Sequence, residues 1–161
     1  MLTESSMSYS LGLPLHSRRG EPDAMNIDGL LRGLNILLVE DDSDSAELFN
    51  VIFELAEARV MTVASAREAL EQLESYEPDM LISNLALPDM DGYSLVTNVC
   101  TSEKIRGREI IAVALTASAR DVNLAKVMSA GFQAYIPKPI NPATLVTALA
   151  NLQDQVPTLS C

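Results

Sequence analysis

The chain has 161 residues, 48% of them hydrophobic, with 22 acidic and 11 basic side chains and a formal charge of −11. That length supports one domain with a real core and is short for two, and the charge repels a phosphate backbone, which argues against direct nucleic-acid binding. No apolar run approaches the ~20 residues of a membrane-spanning helix, and a Ser-rich start broken by Pro14 does not read as a signal peptide, so a cytoplasmic protein without membrane contact is expected.

Residues 1–33 carry Ser, Pro, Gly and mixed charge without a sustained period, as in Ser17-Arg18-Arg19-Gly20-Glu21-Pro22-Asp23, and read as a flexible N-terminal arm. One apolar patch, Ile27 with Leu30, Leu31 and Leu34, has helical spacing and is suited to docking on the domain or on a partner. The two cysteines, Cys100 and Cys161, have no histidine at ligand spacing, His16 being the only one, and are expected to be ordinary thiols.

From Leu34 the texture changes to short apolar runs alternating with helical patterns, the signature of β-α repeats. Asn35-Ile36-Leu37-Leu38-Val39 suits a strand buried on both faces and ends at Glu40-Asp41-Asp42. Ser43 or Asp44 is positioned to cap a helix whose apolar side uses Leu48, Phe49, Ile52, Phe53 and Ala56. Val60 to Val63 forms a second strand, and the helix after it starts at a capping box of Ser65 and Glu68.

The third strand, Met80 to Ser83, delivers Asn84 to its carboxyl end, and the next helix begins after Asp91-Gly92. Asp89 and Asp91 suit turn and capping roles. Ile110 to Leu115 is the fourth strand, ending at Thr116, and Ser118 is placed to cap a helix that stops at Ala130-Gly131. Ala134-Tyr135-Ile136 runs into Pro137-Lys138-Pro139, after which Asn141 caps a last helix with Pro142 in its first turn.

Short βα connections between parallel strands require right-handed crossovers, so an α/β doubly wound sandwich is expected: one five-stranded parallel sheet with helices on both faces. In the flavodoxin-like (βα)5 order 2-1-3-4-5, strands 1 and 3 are neighbours. That order sets Glu40 and Asp41 beside Asn84, with Thr116 and Lys138 contributed by strands 4 and 5. Alone, each of these residues is an ordinary turn, cap or loop side chain.

The ordered set Leu38-Val39-Glu40-Asp41-Asp42, Leu87-Pro88-Asp89-Met90-Asp91-Gly92, Leu115-Thr116-Ala117 and Pro137-Lys138-Pro139 resembles the receiver domain of two-component response regulators. The resemblance runs from about Leu34 to Leu152 and implies a receiver domain at 34–154 with a tail at 155–161, leaving no room for an output domain. By resemblance, Glu40, Asp41 and the backbone carbonyl of Ala86 are the metal ligands, and such hard oxygen donors suit magnesium. Thr116 and Lys138 form the phosphate pocket, Tyr135 is the aromatic switch, and the Lys138-Pro139 bond is cis.

Asn84 departs from the family pattern, since it stands at the phosphoacceptor position and an amide has neither the charge nor the nucleophilic oxygen to form an acyl phosphate. With Asn84, the groups Glu40, Asp41 and Lys138 sum to about −1, where an aspartate there would give about −2. The amide is therefore expected to donate to Glu40 or Asp41 and to weaken magnesium binding.

The resulting expectation is a single-domain receiver-like signalling protein of a two-component or phosphorelay pathway, not phosphorylated at Asn84, not an enzyme, and acting through protein contacts. Its partners would be a histidine kinase, hybrid kinase or phosphotransfer protein and a downstream signalling protein. The face of the fourth helix, fifth strand and fifth helix, with Tyr135, Arg120, Asn123 and Lys126, would serve them or a homodimer. The stretch Leu31-Arg32-Gly33-Leu34 also resembles the approach to receivers in hybrid histidine kinases. Two alternatives stay open: a conventional phospho-accepting stand-alone regulator whose natural residue at this position is aspartate, and a metal-dependent phosphohydrolase.

Overall fold

Continuous apolar runs make the central strands of this chain, because a strand covered by helices on both faces has no solvent side to signal. In the computed structural model, which describes residues 27–103, 105, 109–117 and 123–155, the element order is β1 (Asn35–Val39), α1 (Ser43–Leu55), β2 (Arg59–Val63), α2 (Ala66–Leu73), β3 (Met80–Asn84), α3 (Gly92–Thr101), β4 (Ile111–Thr116), α4 (Leu124–Ala130), β5 (Ala134–Pro137) and α5 (Pro142–Gln155). All strand pairs are parallel and the sheet order is β2-β1-β3-β4-β5, as the flavodoxin-like reading expects.

Alternation along each strand divides the core into two layers. Ile36, Leu38, Met80, Ile82, Ile111, Val113 and Leu115 face a cluster that includes Phe49, Ile52 and Phe53 of α1 and Leu145, Val146 and Leu149 of α5. Leu37, Val39, Leu81, Ala112 and Ala114 face the opposite cluster, built with Leu73 of α2, Leu95, Val96 and Val99 of α3 and Val127 of α4. Among the described residues no helix is long and apolar enough to cross a membrane.

The helix starts follow side-chain capping. Asp42, rather than Ser43 or Asp44, is the N-cap of α1 and accepts from the Ser45 N–H at 2.9 Å. Ser65 caps α2, accepting from the Glu68 N–H at 3.2 Å, while Glu68 reaches back one residue further than a standard capping box, to the Ala64 N–H at 3.0 Å. The Ser118 position lies outside the described residues, as does Arg120; the described part of α4 begins after Asn123, whose side chain accepts from the Lys126 N–H at 3.0 Å. Asn141 accepts from the Thr144 N–H at 3.0 Å ahead of α5.

Three readings from the sequence change. Leu48 is 55% exposed rather than part of the buried side of α1; it stands about a quarter turn off the stripe of Phe49, Ile52, Phe53 and Ala56. Cys100 is disulfide-bonded rather than a free thiol, and Cys161 lies outside the described residues. Residues 27–33 fold onto the domain instead of extending the arm, with residues 1–26 outside the described residues.

This lead-in forms a strap across the end of α1. A helix leaves its last carbonyls without intrahelical partners, and here the N–H groups of Gly29, Leu31 and Gly33 donate to the carbonyls of Leu55, Ala56 and Glu57 at 3.3, 3.0 and 3.4 Å. Ile27, Leu31 and Leu34 are buried in the α1–α5 layer, while Leu30 is turned outward. Gly29 has φ 74°, a backbone conformation that a Cβ would strain. Arg32 closes the strap with a two-pronged pair to Glu57, at 2.8 and 3.1 Å.

Candidate functional site

Register fixes where the strands stop. Val39 pairs with Val63 and Ser83, Asn84 with Leu115, and Thr116 with Pro137, so the residues at or just beyond these ends share one edge of the sheet. Glu40, Asp41, Asn84, Thr116 and Lys138 are all found there.

Glu40 is the buried charge of the site, with only 2% of its surface exposed. A carboxylate taken out of water needs donors to replace those it leaves behind. Glu40 has three: Lys138 Nζ donates to Oε1 at 2.9 Å, and Asn84 Nδ2 and the Asp42 N–H donate to Oε2 at 2.6 and 3.1 Å. Asn84 Nδ2 also donates to Asp41 Oδ1 at 3.1 Å. The NH2 end of the amide thus bridges two carboxylates, using the two N–H donors that this group possesses. The amide donation expected from the sequence occurs to both acids.

Thr116, half-buried at the end of β4, accepts the Lys138 N–H on its carbonyl at 2.8 Å. The Lys138-Pro139 peptide is cis, as expected. Tyr135 is half-buried on β5, opposite Ala114, and packs with the layer under α2, α3 and α4. Ala86 is exposed in the loop after β3. Glu40, Asp41, Asn84 and Lys138 therefore form one hydrogen-bonded group with Thr116 adjoining it, and neither Tyr135 nor Ala86 joins that group through a hydrogen bond among the described residues.

The loop from Leu85 to Asp91 is pinned at both ends. Asp91 caps α3, accepting from the Ser94 N–H at 2.7 Å, and the Gly92 N–H donates to the Leu85 carbonyl at 2.8 Å. Gly92 packs against the Asn84 backbone so closely that an added Cβ would collide with the Asn84 carbonyl oxygen and lie 3.0 Å from Leu85 Cα. Asp89 bridges to the neighbouring helix, its carboxylate accepting from the Ala66 and Arg67 N–H groups of α2 at 3.0 and 2.8 Å. Both aspartates thus have the capping roles read from the sequence, but the sequence did not reveal that Asp89 caps α2. The only advance signal was an acid placed in a turn.

Desolvation pushes the Asp89 carboxyl upward, and the N–H groups of Arg67 and Ala66, with those of Asp89 and Met90, outweigh it and hold the group below its ordinary value. A depressed folded-state value means that the unfolded chain binds more protons, so this contribution is complete above the unfolded value of about 3.9 and is lost as pH falls through the lower folded value. An NMR titration of the Asp89 carboxyl is expected to show a midpoint below about 3.9. Asp89→Asn is expected to reduce the acid-side slope of stability in that window; an unchanged slope would show that the clamp contributes nothing.

Among the described residues no group of three or more His, Cys, Asp or Glu side chains is disposed to hold a metal ion. The site instead combines two carboxylates, one amide, one ammonium and one hydroxyl at the carboxyl edge of a parallel sheet, where doubly wound folds place their binding crevice.

The family model of the response regulator receiver domain matches residues 36–150. This chain belongs to the response regulator receiver family. The receiver is 37% identical over 116 residues to an uncharacterized 14.6 kDa protein in the sodA1 3′ region of Leptolyngbya boryana, covering 72% of this chain and 87% of that protein. It is 32% identical over 143 residues to hybrid signal transduction histidine kinase D of Dictyostelium discoideum, covering 85% of this chain but 9% of the kinase. Among solved structures it resembles the receiver domain of sensor histidine kinase PA1611 from Pseudomonas aeruginosa PAO1, which has a magnesium ion coordinated in its active-site cleft. That match has TM-score 0.69 and 29% identity, and covers 76% of this chain and 99% of the other.

Proposed function

We propose that this receiver of two-component signalling does not take a phosphoryl group at position 84 and works as an interaction module in a two-component or phosphorelay pathway. The observation that carries this reading is the Asn84 amide donating to both Glu40 and Asp41 while Lys138 pairs with Glu40. Phosphoryl transfer to a receiver needs an anionic oxygen at this position, and an amide has none. The amide N–H groups also supply the partial positive charge that the two acids would otherwise draw from a cation.

The donor set fits magnesium poorly. The ion prefers near-octahedral oxygen ligands and keeps several waters, but both Glu40 oxygens already accept hydrogen bonds and the amide turns donors, not an oxygen, toward the acids. Magnesium binding is therefore weak in this receiver, and its cleft is held in one arrangement by its own side chains.

Output then comes through protein contacts rather than turnover. A histidine kinase, hybrid kinase or phosphotransfer protein on the input side, and a downstream signalling protein on the other, are the partner classes. The face carrying Tyr135, Asn123 and Lys126 is the surface proposed for the output contact and for any homodimer, in a cytoplasmic setting. Lys126 Nζ is turned toward α3, 4.4 Å from the centroid of the Tyr93 ring, a cation–π contact that joins α4 to α3.

The test is incubation of the protein and its Asn84→Asp variant with magnesium and a small phosphodonor, read by intact mass. A phosphoryl adduct on the variant alone is the expected result. An adduct on the Asn84 protein would overturn the reading by revealing a different acceptor.

A further inference from the structure

The junction between α4 and β5 is held by a side chain as well as by the sheet. β5 pairs with β4 from Ala134 onward, opposite Val113. One step before that, the Gln133 N–H donates to the Ala112 carbonyl at 2.8 Å, and the return bond is made by the Gln133 side chain, whose Oε1 accepts from the Ala112 N–H at 2.6 Å. The other end of the same amide, Nε2, donates to the Gly131 carbonyl at 3.0 Å. Ala112 is fully buried, so its N–H has no water to turn to if that acceptor is lost.

Gly131 is the residue that ends α4. Its φ is 121°, its N–H donates to the Met128 carbonyl at 3.1 Å, and the Phe132 N–H donates to the Val127 carbonyl at 3.3 Å. The Gln133 amide is thus inserted between β4 and the end of α4, accepting from one and donating to the other. A primary amide alone has both functions on one planar group; a carboxylate accepts but has no proton to give at neutral pH, and asparagine has one methylene fewer with which to span the gap.

Packing gives α4 little else to fix it. Among the described residues Val127 is its one buried side chain, and Leu124 and Met128, four residues apart and so on one side of the helix, are exposed by 54% and 43%. We propose that Gln133 is the positioning residue of the α4 face: its side-chain amide sets where α4 ends against the sheet, and with it where Leu124 and Met128 are presented to a partner. The use of that face rests on the output role proposed above, whereas the seating of α4 does not. Ala112 lies four residues before Thr116 along β4, roughly 13 Å from the cleft. Changes at the amide therefore leave the Glu40, Asn84 and Lys138 group in place.

The experiment compares the full chain with Gln133→Met, which keeps the length of the side chain and removes both bonds, and Gln133→Glu, which keeps the acceptor and removes the donor. In Gln133→Met the Ala112 amide is expected to exchange with deuterium about tenfold faster, and the Lys126 methylene and Met128 methyl resonances to move as the Tyr93 contact loosens, while the Leu37 and Ile82 amides keep their protection. In Gln133→Glu the Ala112 amide is expected to stay protected and the Lys126 and Met128 resonances to move in the same direction as in Gln133→Met. Unchanged Lys126 and Met128 resonances in Gln133→Met would overturn the proposal. Equal acceleration at Ala112, Leu37 and Ile82 would overturn it in favour of a general contribution to stability. Neither readout involves phosphoryl uptake, so an adduct on the Asn84 protein would end the reading of the cleft and leave this result standing.

Discussion

Asn84→Asp, measured in the presence of a chelator, is expected to lower stability by about 2–4 kcal/mol. The substitution removes both donors that the amide gives to Glu40 and Asp41 and adds a third carboxylate to a site with one ammonium. Glu40, at 2% exposure, has little solvent to screen the new repulsion. Asn84→Ala is expected to fall between the two proteins, since it removes the donors without adding charge. Magnesium should return stability to the aspartate variant, by about 2.7 kcal/mol at a concentration a hundred times its dissociation constant, and should do far less for the wild type. Urea unfolding of the three proteins with and without magnesium measures this. Equal stability of wild type and the aspartate variant in chelator would remove the amide bridge as the element that holds the cleft.

The second large effect is expected at the strap. Leu31→Ala should cost about 2–4 kcal/mol, the range for emptying a buried leucine position, because Leu31 is 1% exposed within the α1–α5 layer. Leu30→Ala, one residue away but 42% exposed, should stay within about 0.5 kcal/mol. Arg32→Ala should also be small, since its pair with Glu57 is open to solvent. Comparing the first two variants by urea unfolding decides whether residues 27–33 belong to the folded unit; equal losses would place the strap outside it.

Most of the fold was legible because its strands are buried on both faces. Runs such as Ile36 to Val39 and Ile111 to Leu115 leave few alternatives for a chain of this length, and the short connections then dictate the handedness and layering. The details that escaped were those settled between elements. Asp41, Asp42, Ser43 and Asp44 all offer capping chemistry, and where β1 ends is what makes Asp42 the cap. Leu48 adjoins the apolar stripe of α1 in sequence but lies off it in rotation. The strap's leucines are visible as a pattern, yet only the unpaired carbonyls at the end of α1 give that short turn a place to dock.

The site was legible as a set of strand ends and less so as a network. Residue types announced that Glu40, Asp41, Asn84, Thr116 and Lys138 would meet, because parallel register brings such ends together. The partners within the group depend on burial: Glu40 is the deep acid and collects three donors, whereas Asp41 stays exposed and shares only the amide. The Asp42 N–H was not anticipated as one of those donors, since backbone groups leave no mark in a sequence.

The outer strands bear on how this receiver meets other proteins. β2 and β5 are the two margins of the sheet. β5 has four residues and ends on Pro137, with Pro139 two positions further on, so two of the three positions 137–139 lack an N–H. β2 begins with the exposed charge of Arg59. Short length, proline and charge are the features that discourage a margin from accepting an added strand. Recruitment by strand addition is thereby disfavoured at both margins, and the surfaces left for selective recognition are helical ones, whose side chains rather than backbone choose the partner.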